Sequence, residues 1–260
     1  MITGQSVKEF LSTFNPSGEL NSEEGFLYGS GTDEVQGICV CWMASRAAIE
    51  YAAQHQCNLI VCHEALTFYD YPLWAANPPG PPWPVDQVRL DLLDAYGIAV
   101  LRVHSTVDPT HVGPTLWEII GLPEPEFRGW AYSQHNITPI TVGTLAIRVR
   151  EALGMAHLRV TGDTEQVVSN VGTAWGGGGL DRHIDIWVEH LLPRGIQALI
   201  TGETSDFAQR YALDNGVALI ETCHSASEDP GLARLAGDLA KRFSTVPVLF
   251  RPQEIPWTTL

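Results

Sequence analysis

The sequence predicts an α/β fold built from two related lobes, in which helices flank mixed, largely parallel sheets. Three observations support this prediction. Helical segments alternate with short apolar runs, one helix–strand pattern recurs four times along the chain, and a polar residue closes each of the recurring apolar runs. The 260 residues suffice for two closely packed lobes, which we expect at residues 1–125 and 126–260.

The predicted elements start with an amphipathic helix at residues 7–14, a buried strand at 35–42 and a helix at 44–55. The recurring pattern, in which a helix ends and an apolar strand follows, occupies residues 51–63, 85–104, 184–203 and 211–224. Between its second and third copies we expect a helix at 140–153 and strands at 157–161 and 166–173, and after the last copy an extended arm at 250–260. Because parallel strands need crossover helices, this alternation indicates parallel pairing.

The composition limits the classes of partner. The formal net charge is −15, from 15 Lys and Arg against 30 Asp and Glu, and this argues against nucleic acid because phosphate contacts need a basic surface. No apolar run has the length of a membrane span, and the N-terminus lacks the basic and apolar regions of a signal peptide. The five cysteines are odd in number and lie mostly in apolar runs, which indicates reduced thiols and a cytoplasmic protein.

Each of the four recurring strands ends in polar residues that can bind a metal or move a proton. In order, these residues are His63 with Glu64, His104, Glu203 and His224. In open α/β sheets, ligands bind beyond the carboxyl ends of the strands. We therefore expect the functional site at these strand ends, between the two lobes.

Three segments carry candidate metal ligands, and each also has a simpler explanation. The side chains of His63 and Glu64 converge only if the strand ends there and turns; otherwise they are a core histidine beside a surface glutamate. Asp108, biased to an extended conformation by the following proline, could bridge two metals or be an ordinary turn residue.

The third segment follows the last recurring strand. Ser227-Glu-Asp-Pro230 predicts a helix start with Ser227 as the N-cap, which would hold Glu228 close to His224. In the simpler explanation, Glu228 only complements the helix dipole. Together the three segments supply two imidazoles and three carboxylates, a set that suits two divalent ions: His63, Glu64, Asp108, His224 and Glu228.

In their order and spacing, these motifs resemble those of the NIF-three-like family, whose members are often called GTP cyclohydrolase type 2 homologues. The chain has His63-Glu-Ala-Leu-Thr-Phe68 for the family's His-His-Pro-Leu-Ile-Phe-like motif and His104-Ser-Thr-Val-Asp108 for its His-Thr-Asn-Leu-Asp-like motif. It has Cys223-His-Ser-Ala-Ser-Glu228 for a Gly-His-Tyr-x-Ser-Glu-like motif. Residues 23–29, 172–179 and 201–203 resemble further family segments, so the similarity covers nearly the whole chain.

The resemblance implies two metal ions at the motif positions, a two-lobed α/β fold and a homo-oligomer, often a hexameric ring. The metals would be Zn, Mn or Fe, with Mg as a further candidate. Glu64 stands where the family usually has its second histidine. Because a carboxylate is a harder ligand than an imidazole, we expect the preference to shift from zinc towards manganese, iron or magnesium, and Glu64→His to raise the affinity for zinc.

Two other interpretations of these segments concern thiols and phosphate. Cys62 and Cys223 flank the motif histidines, but strand alternation points each thiol away from its neighbour and disfavours thiolate ligation. The glycine run at 176–179 could cradle a phosphate, but it lacks the Lys and Ser or Thr of a P-loop, and a turn is the simpler interpretation.

Two functions fit these features. The first is a metal-dependent hydrolase of a small molecule, in which His104 or Glu203 transfers protons or orients a ligand. The second is a non-catalytic, metal-dependent binding or regulatory protein that acts through protein partners. Its contact surface could be the Pro- and Trp-rich segment at 71–84.

Overall fold

The computed structural model describes residues 1–67 and 83–258, and within them it contains two mixed sheets flanked by helices. This arrangement confirms the predicted fold class. The Pro- and Trp-rich segment lies outside the described residues except for its last two positions, 83 and 84. None of the helices in the described part of the chain combines the length and apolarity that crossing a membrane requires.

The elements of the described residues are labelled in chain order. The strands are β1 (Gly25–Tyr28), β2 (Ile38–Cys41), β3 (Leu59–Cys62), β4 (Ala99–Arg102), β5 (Phe127–Arg128), β6 (Tyr132–Thr141), β7 (Arg159–Thr161), β8 (Val167–Ala174), β9 (Ala198–Thr201), β10 (Ala218–Glu221) and β11 (Val248–Arg251). The helices are α1 (Gly4–Ser12), α2 (Arg46–Gln54), α3 (Pro84–Tyr96), α4 (Gly113–Ile120), α5 (Val142–Ala152), α6 (Ile184–His190), α7 (Asp206–Asp214) and α8 (His224–Arg242). The four copies of the recurring pattern lead into β3, β4, β9 and β10.

Local sequence explains the helices that deliver the chain to three of these strands. The side-chain oxygens of Ser45 and Ser205 accept backbone N–H groups of the first turns of α2 and α7, at 3.2 Å in each helix. Helix α3 ends at Gly97, whose φ of 62° is a left-handed conformation that residues with a Cβ rarely adopt. These caps fix where the chain leaves one helix and where it enters the next.

The first sheet has the strand order β1-β4-β3-β2-β11. The pairs β4–β3, β3–β2 and β2–β11 are parallel, and β1 runs antiparallel at the edge. Both faces of the sheet are buried, since Val40 and Val61 belong to one apolar cluster and Cys41 and Cys62 to another. Burial on both faces explains why these strands are continuous apolar runs in the sequence.

The second sheet has the order β5-β6-β8-β9-β10-β7. Its central strands β8, β9 and β10 pair in parallel, and the outer pairs are antiparallel. Alternate residues again enter two different apolar clusters, as Ile200 and Leu199 do in β9. The carboxyl ends of β9 and β10 therefore lie at the same edge of this sheet.

The chain divides into two compact units. The first unit comprises Met1–Val107 and Leu232–Gln253 and contains the first sheet, and the second comprises Asp108–Gly231 and Glu254–Leu260 and contains the second sheet. One of the boundaries falls within α8. The two lobes expected from the sequence, residues 1–125 and 126–260, were defined by internal similarity and not by contacts, and they stay a prediction.

The predicted start of the last long helix is wrong. Helix α8 begins at His224, so that Ser227 lies in its first turn and Pro230 inside the helix. The Ser227 hydroxyl donates to the carbonyl of His224 at 2.7 Å and accepts the N–H of Gly176 at 2.9 Å, so it binds its own turn and a neighbouring loop. As a result, His224 and Glu228 are four residues apart on one helix and share a face.

Four strands were missed in the sequence: the short edge strands β1 and β5, and the strands β6 and β11. Strand β6 is rich in polar residues and contains Pro139, both of which argue against a strand; the register with β8 shifts between Asn136 and Ile140, on either side of that proline. Strand β11 lies at the start of the expected extended arm, and it pairs in parallel with β2. Its edge position leaves its residues half-buried, which weakens the apolar pattern.

A buried and an exposed leucine of the second unit give a test of the core. Leu199 is fully buried in β9, whereas Leu213 of α7 is 52% exposed. We expect Leu199→Ala to lower the free energy of unfolding by about 2–5 kcal/mol because a cavity replaces the side chain. Leu213→Ala, the matched control, should change it by less than about 0.5 kcal/mol. Urea midpoints measure both, and equal losses in the two variants would contradict this description of the core.

Candidate metal centre

The turn that follows β3 directs two successive side chains out of the sheet. The backbone N–H groups of His63 and Glu64 both donate to the carbonyl oxygen of Trp42, at 3.0 and 2.8 Å. The chain must bend to bring two consecutive N–H groups to one acceptor, because successive groups in a strand point in opposite directions. Both side chains are buried, so the simpler explanation, a surface glutamate, is wrong.

Hydrogen bonding fixes the tautomer of the neutral His63 ring. Its Nδ1 lies 3.1 Å from the carbonyl oxygen of Val103, which can only accept, so Nδ1 carries the hydrogen and Nε2 presents its lone pair. The His63 and His104 rings lie with their centroids 4.6 Å apart. His63 also has a ligand atom within 4.8 Å of one on Glu64 and of one on His104. These three side chains of the first unit could contribute to holding a metal ion.

Glu64 lies between an imidazole and a guanidinium. Its Oε1 is 3.7 Å from Nε2 of His104, and its Oε2 is 3.9 Å from a terminal nitrogen of Arg102. Arg102 also donates from Nε to the carbonyl of His63, at 3.0 Å. Arg102 was not singled out in the sequence. A charged residue at the end of an apolar strand is costly to bury without a partner, so its position there indicates a buried residue of opposite charge nearby.

The loop that carries His104 is held by the segment before β1. Glu24 Oε1 accepts the N–H groups of His104 and Thr106, at 2.6 and 2.9 Å, and its Oε2 accepts the Thr106 hydroxyl at 2.5 Å. Glu23 approaches His104 Nδ1 at 3.9 Å and accepts a short hydrogen bond from Ser105. The interaction with His104 lowers the pKa of Glu23 from 4.5 to about 2, with a smaller contribution from Ser105. The sequence indicated this segment only through its resemblance.

In the second unit, Asp108 is buried and oriented by an indole. It begins the π-helical turn Asp108–Val112, and its Oδ1 accepts a hydrogen bond from Trp175 Nε1 at 2.9 Å. The indole N–H therefore fixes the orientation of the Asp108 carboxylate. Burial and this bond show that Asp108 is not an ordinary turn residue at the surface.

His224 of the second unit lies between two carboxylates. Its Nδ1 is 3.0 Å from Glu203 Oε2, and its Nε2 is 3.3 Å from Glu228 Oε1. A carboxylate that accepts Nδ1–H leaves Nε2 as the ligand atom, the arrangement that metal-binding histidines commonly have. When the imidazole is neutral, Nε2 and the Glu228 oxygen are both acceptors, and a cation or a proton between them relieves their repulsion.

The glycine run is part of this cluster. Gly176 has a φ of 56°, and a Cβ there would lie 2.1 Å from Glu228 Oε1 and 2.8 Å from His224 Nε2. The carbonyl of Gly176 accepts the backbone N–H of Glu203 at 2.9 Å, so the turn Gly176–Gly178 lies against the side chains of His224 and Glu228 and the backbone of Glu203. The run therefore forms a close-packed turn against the His224 cluster. The Glu228 carboxylate lies where a bound phosphate would have to lie, which argues against a phosphate site.

Neither of the two cysteines that flank the motif histidines belongs to a group of described residues whose ligand atoms lie close enough together to hold a metal ion. Cys62 is buried and donates to the carbonyl of Glu64 at 3.4 Å, and burial raises the pKa of its thiol to about 12. A thiol with this pKa stays protonated at neutral pH and does not favour metal binding. Cys223 has its sulfur 3.7 Å from the Ser225 hydroxyl.

Comparison with known proteins gives matches along nearly the whole chain. The model of the family described as Duf34/NIF3 (NGG1p interacting factor 3) matches residues 8–255. A protein of Pseudomonas aeruginosa named GTP cyclohydrolase 1 type 2 homolog is 27% identical over 223 residues, which are 82% of this chain and 82% of that protein.

Solved structures resemble the fold. The crystal structure of a Bacillus cereus protein related to NIF3 aligns with a TM-score of 0.80 and 13% identity over 100% of both chains. The structure of the protein ybgI, described as of unknown function, aligns with a TM-score of 0.81 and 20% identity over 98% of this chain and 100% of that one. At these identities the likeness shows the fold alone.

The glycine turn provides a test of the His224 cluster. Gly176→Ala should lower the free energy of unfolding by roughly 3 kcal/mol or more, because it adds a steric clash to the strain of a left-handed residue. The matched control is Gly216→Ala, where φ is 67° and a Cβ would meet nothing within 4 Å. That variant should lose only the strain, about 1–2 kcal/mol. Chemical denaturation compares the two, and equal losses would show that Gly176 is not in contact with His224 and Glu228.

Proposed function

This chain belongs to the Duf34/NIF3 family, and from that membership we propose that it is a dinuclear divalent-metal protein that hydrolyses a small molecule. The proposed ligands are the five residues of the sequence motifs: His63, Glu64, Asp108, His224 and Glu228. Imidazole nitrogens and carboxylate oxygens are the ligands that Zn, Mn and Fe share, and Mg accepts the oxygens.

The observation that carries the proposal is the hydrogen bonding of the two histidines. Each has its Nδ1 beside an acceptor, the carbonyl of Val103 for His63 and the carboxylate of Glu203 for His224. In both residues the acceptor fixes the tautomer of the neutral ring and leaves Nε2 as the nitrogen that could bind a cation; in His224 this atom lies 3.3 Å from Glu228 Oε1. This pairing of Nδ1 with an acceptor is nearly universal among metal-binding histidines. A histidine of the core also needs such a partner, as His135 has in the carbonyl of Pro123 at 2.7 Å. The proposal therefore depends as well on the carboxylates near these rings, Glu64 within 4.8 Å of His63 and Glu228 beside His224.

The charges of the proposed ligands suit a catalytic pair of metals. Two divalent ions bring four positive charges and the three carboxylates three negative ones, which leaves about one net positive charge. Bound ions of this kind supply Lewis acidity and lower the pKa of a coordinated water. In the proposal, His104 is the residue that transfers a proton, since it is half-buried beside Glu64, and Glu203 holds the His224 ring in place.

Relatives named as GTP cyclohydrolase homologues suggest a nucleotide substrate. The net charge of −15 and the close-packed glycine turn favour a substrate that carries less negative charge than a nucleoside triphosphate. We therefore propose an electrophilic carbon or a phosphoester in a small molecule as the target. We also propose a cytoplasmic homo-oligomer, hexameric by family resemblance.

The alternative function is a metal-dependent binding or regulatory protein with little turnover. The description of the family as an NGG1p interacting factor favours this alternative, because it names a protein interaction. In that function the same metals would stabilise the fold or recruit the partner.

Metal content tests the ligand set. After loading with Mn or Zn and removal of excess metal, we expect two equivalents in the wild-type protein. His63→Ala and His224→Ala should each retain less than the two equivalents of the wild-type protein, because each removes a nitrogen ligand. His157→Ala is the matched control, since His157 is exposed and far along the sequence from both motifs. Elemental analysis measures all four, and full metal content in both ligand variants would refute the assignment.

Turnover separates the two functions. The Mn-, Fe- and Zn-loaded proteins should be tested on nucleotide, phosphoester and amide substrates. We expect turnover on at least one of the three classes, with a loss of roughly 100-fold or more in the His63→Ala variant. Silence on every class by a protein that retains both metals would favour the binding protein.

A further inference from the structure

We propose that Arg102 is a positioning residue for Glu64, and that the Glu64–Arg102 pair as a whole sets the affinity and preference of the first unit for divalent cations. This inference rests on the proposed function, because it takes Glu64 as a metal ligand. It adds a residue that lies outside the proposed ligand set and changes the expected behaviour of Glu64 itself.

The first observation is that both partners are buried. The side chain of Arg102 is 8% exposed and that of Glu64 is 6% exposed, and the guanidinium nitrogen lies 3.9 Å from Glu64 Oε2. Among the carboxylates of the described residues, Glu64 is the one that forms an ion pair with Arg102. A buried arginine is costly unless an opposite charge compensates it, so each partner depends on the other.

The second observation is that the guanidinium is fixed in position. Arg102 donates from Nε to the carbonyl of His63 at 3.0 Å and from a terminal nitrogen to the carbonyl of Glu23 at 3.2 Å. Because the guanidinium is planar, these two hydrogen bonds fix its orientation and keep its remaining terminal nitrogen directed towards Glu64. One of the anchors is the backbone of the ligand residue His63, so Arg102 holds both residues of the turn after β3.

The carboxylate oxygens divide between two directions. Oε2 faces Arg102, and Oε1 lies 3.7 Å from Nε2 of His104. Arg102 therefore leaves Oε1 as the oxygen directed towards the imidazoles, which favours monodentate binding of a metal. It also cancels the negative charge of Glu64, so that the pair presents an oxygen ligand with no net charge, as a neutral histidine would present nitrogen.

The consequence concerns the replacement of Glu64 by histidine. From the ligand alone, Glu64→His should raise the affinity for zinc. With Arg102 in place, the same change leaves a buried cation uncompensated beside two divalent ions, and their repulsion is strong where water is excluded. The variant should therefore bind zinc more weakly, and removing the arginine as well should restore the binding.

The experiment measures dissociation constants for Zn and Mn alone, by competition with a chelator, in the full-length chain. The variants are Glu64→His, Arg102→Met, Arg102→Lys and the double variant Glu64→His with Arg102→Met. Arg46→Met is the matched control, since Arg46 is an exposed arginine of the same unit paired with Glu50 at 2.8 Å, and its loss changes the net charge equally. Thermal unfolding of the metal-free proteins shows which variants fold.

We expect Glu64→His to weaken zinc binding by roughly 10- to 100-fold, and the double variant to recover the wild-type value or better with a preference shifted to zinc. Arg102→Met should give no tighter binding in the wild-type background, because the freed Glu64 loses its orientation. Arg102→Lys keeps the charge but cannot reach all three acceptors, and it should weaken binding of Mn and Zn alike. Arg46→Met should change neither constant.

Zinc binding by Glu64→His that is as tight as wild type would overturn the proposal. So would an equal gain from Arg102→Met in both backgrounds, since that result describes a distant charge that does not position Glu64. A wild-type protein that takes up neither metal would instead refute the proposed function, before the variants are compared.

Discussion

One carbonyl oxygen, that of Trp42, organises the candidate ligands of the first unit. By accepting the N–H groups of both His63 and Glu64, it ends the strand and aims two neighbouring side chains away from the sheet. The parallel pairing of β2 with β3 brings this carbonyl into reach, because Cys41 and Cys62 are register partners one residue before the turn. The sheet thus determines the position of the candidate ligands, and the sequence at the turn determines only their chemistry.

The two candidate histidines, one in each unit, are oriented in different ways. His63 donates to a backbone carbonyl, whereas His224 donates to the carboxylate of Glu203. A carboxylate acceptor makes the imidazole more basic than a carbonyl does, so Nε2 of His224 is the stronger donor to a cation. The two candidate histidines are therefore chemically unequal.

The sequence predicts the buried part of this structure well and its polar contacts poorly. Strands β3, β4, β9 and β10 are apolar on both faces, and that pattern alone identifies them. Strand β6 was not predicted because it is polar and contains a proline. The start of α8 was predicted too late because the Ser227 hydroxyl, taken for an N-cap, instead accepts the N–H of Gly176. The roles of Arg102 and Glu24 were not predicted because their partners are distant in the sequence. The bond from the His104 N–H to Glu24, for example, spans 80 residues.

The fixation of the His104 loop by Glu24 has a consequence for any exchange of parts between related proteins. Both oxygens of this carboxylate are occupied, and Asn21 adds a bond to the Ser105 hydroxyl at 2.8 Å. The loop has little structure of its own and takes its shape from residues 21–24. A graft of residues 104–106 into a relative would therefore keep its shape only if the segment ahead of β1 were transplanted with it, and the two stretches should vary together as one cassette.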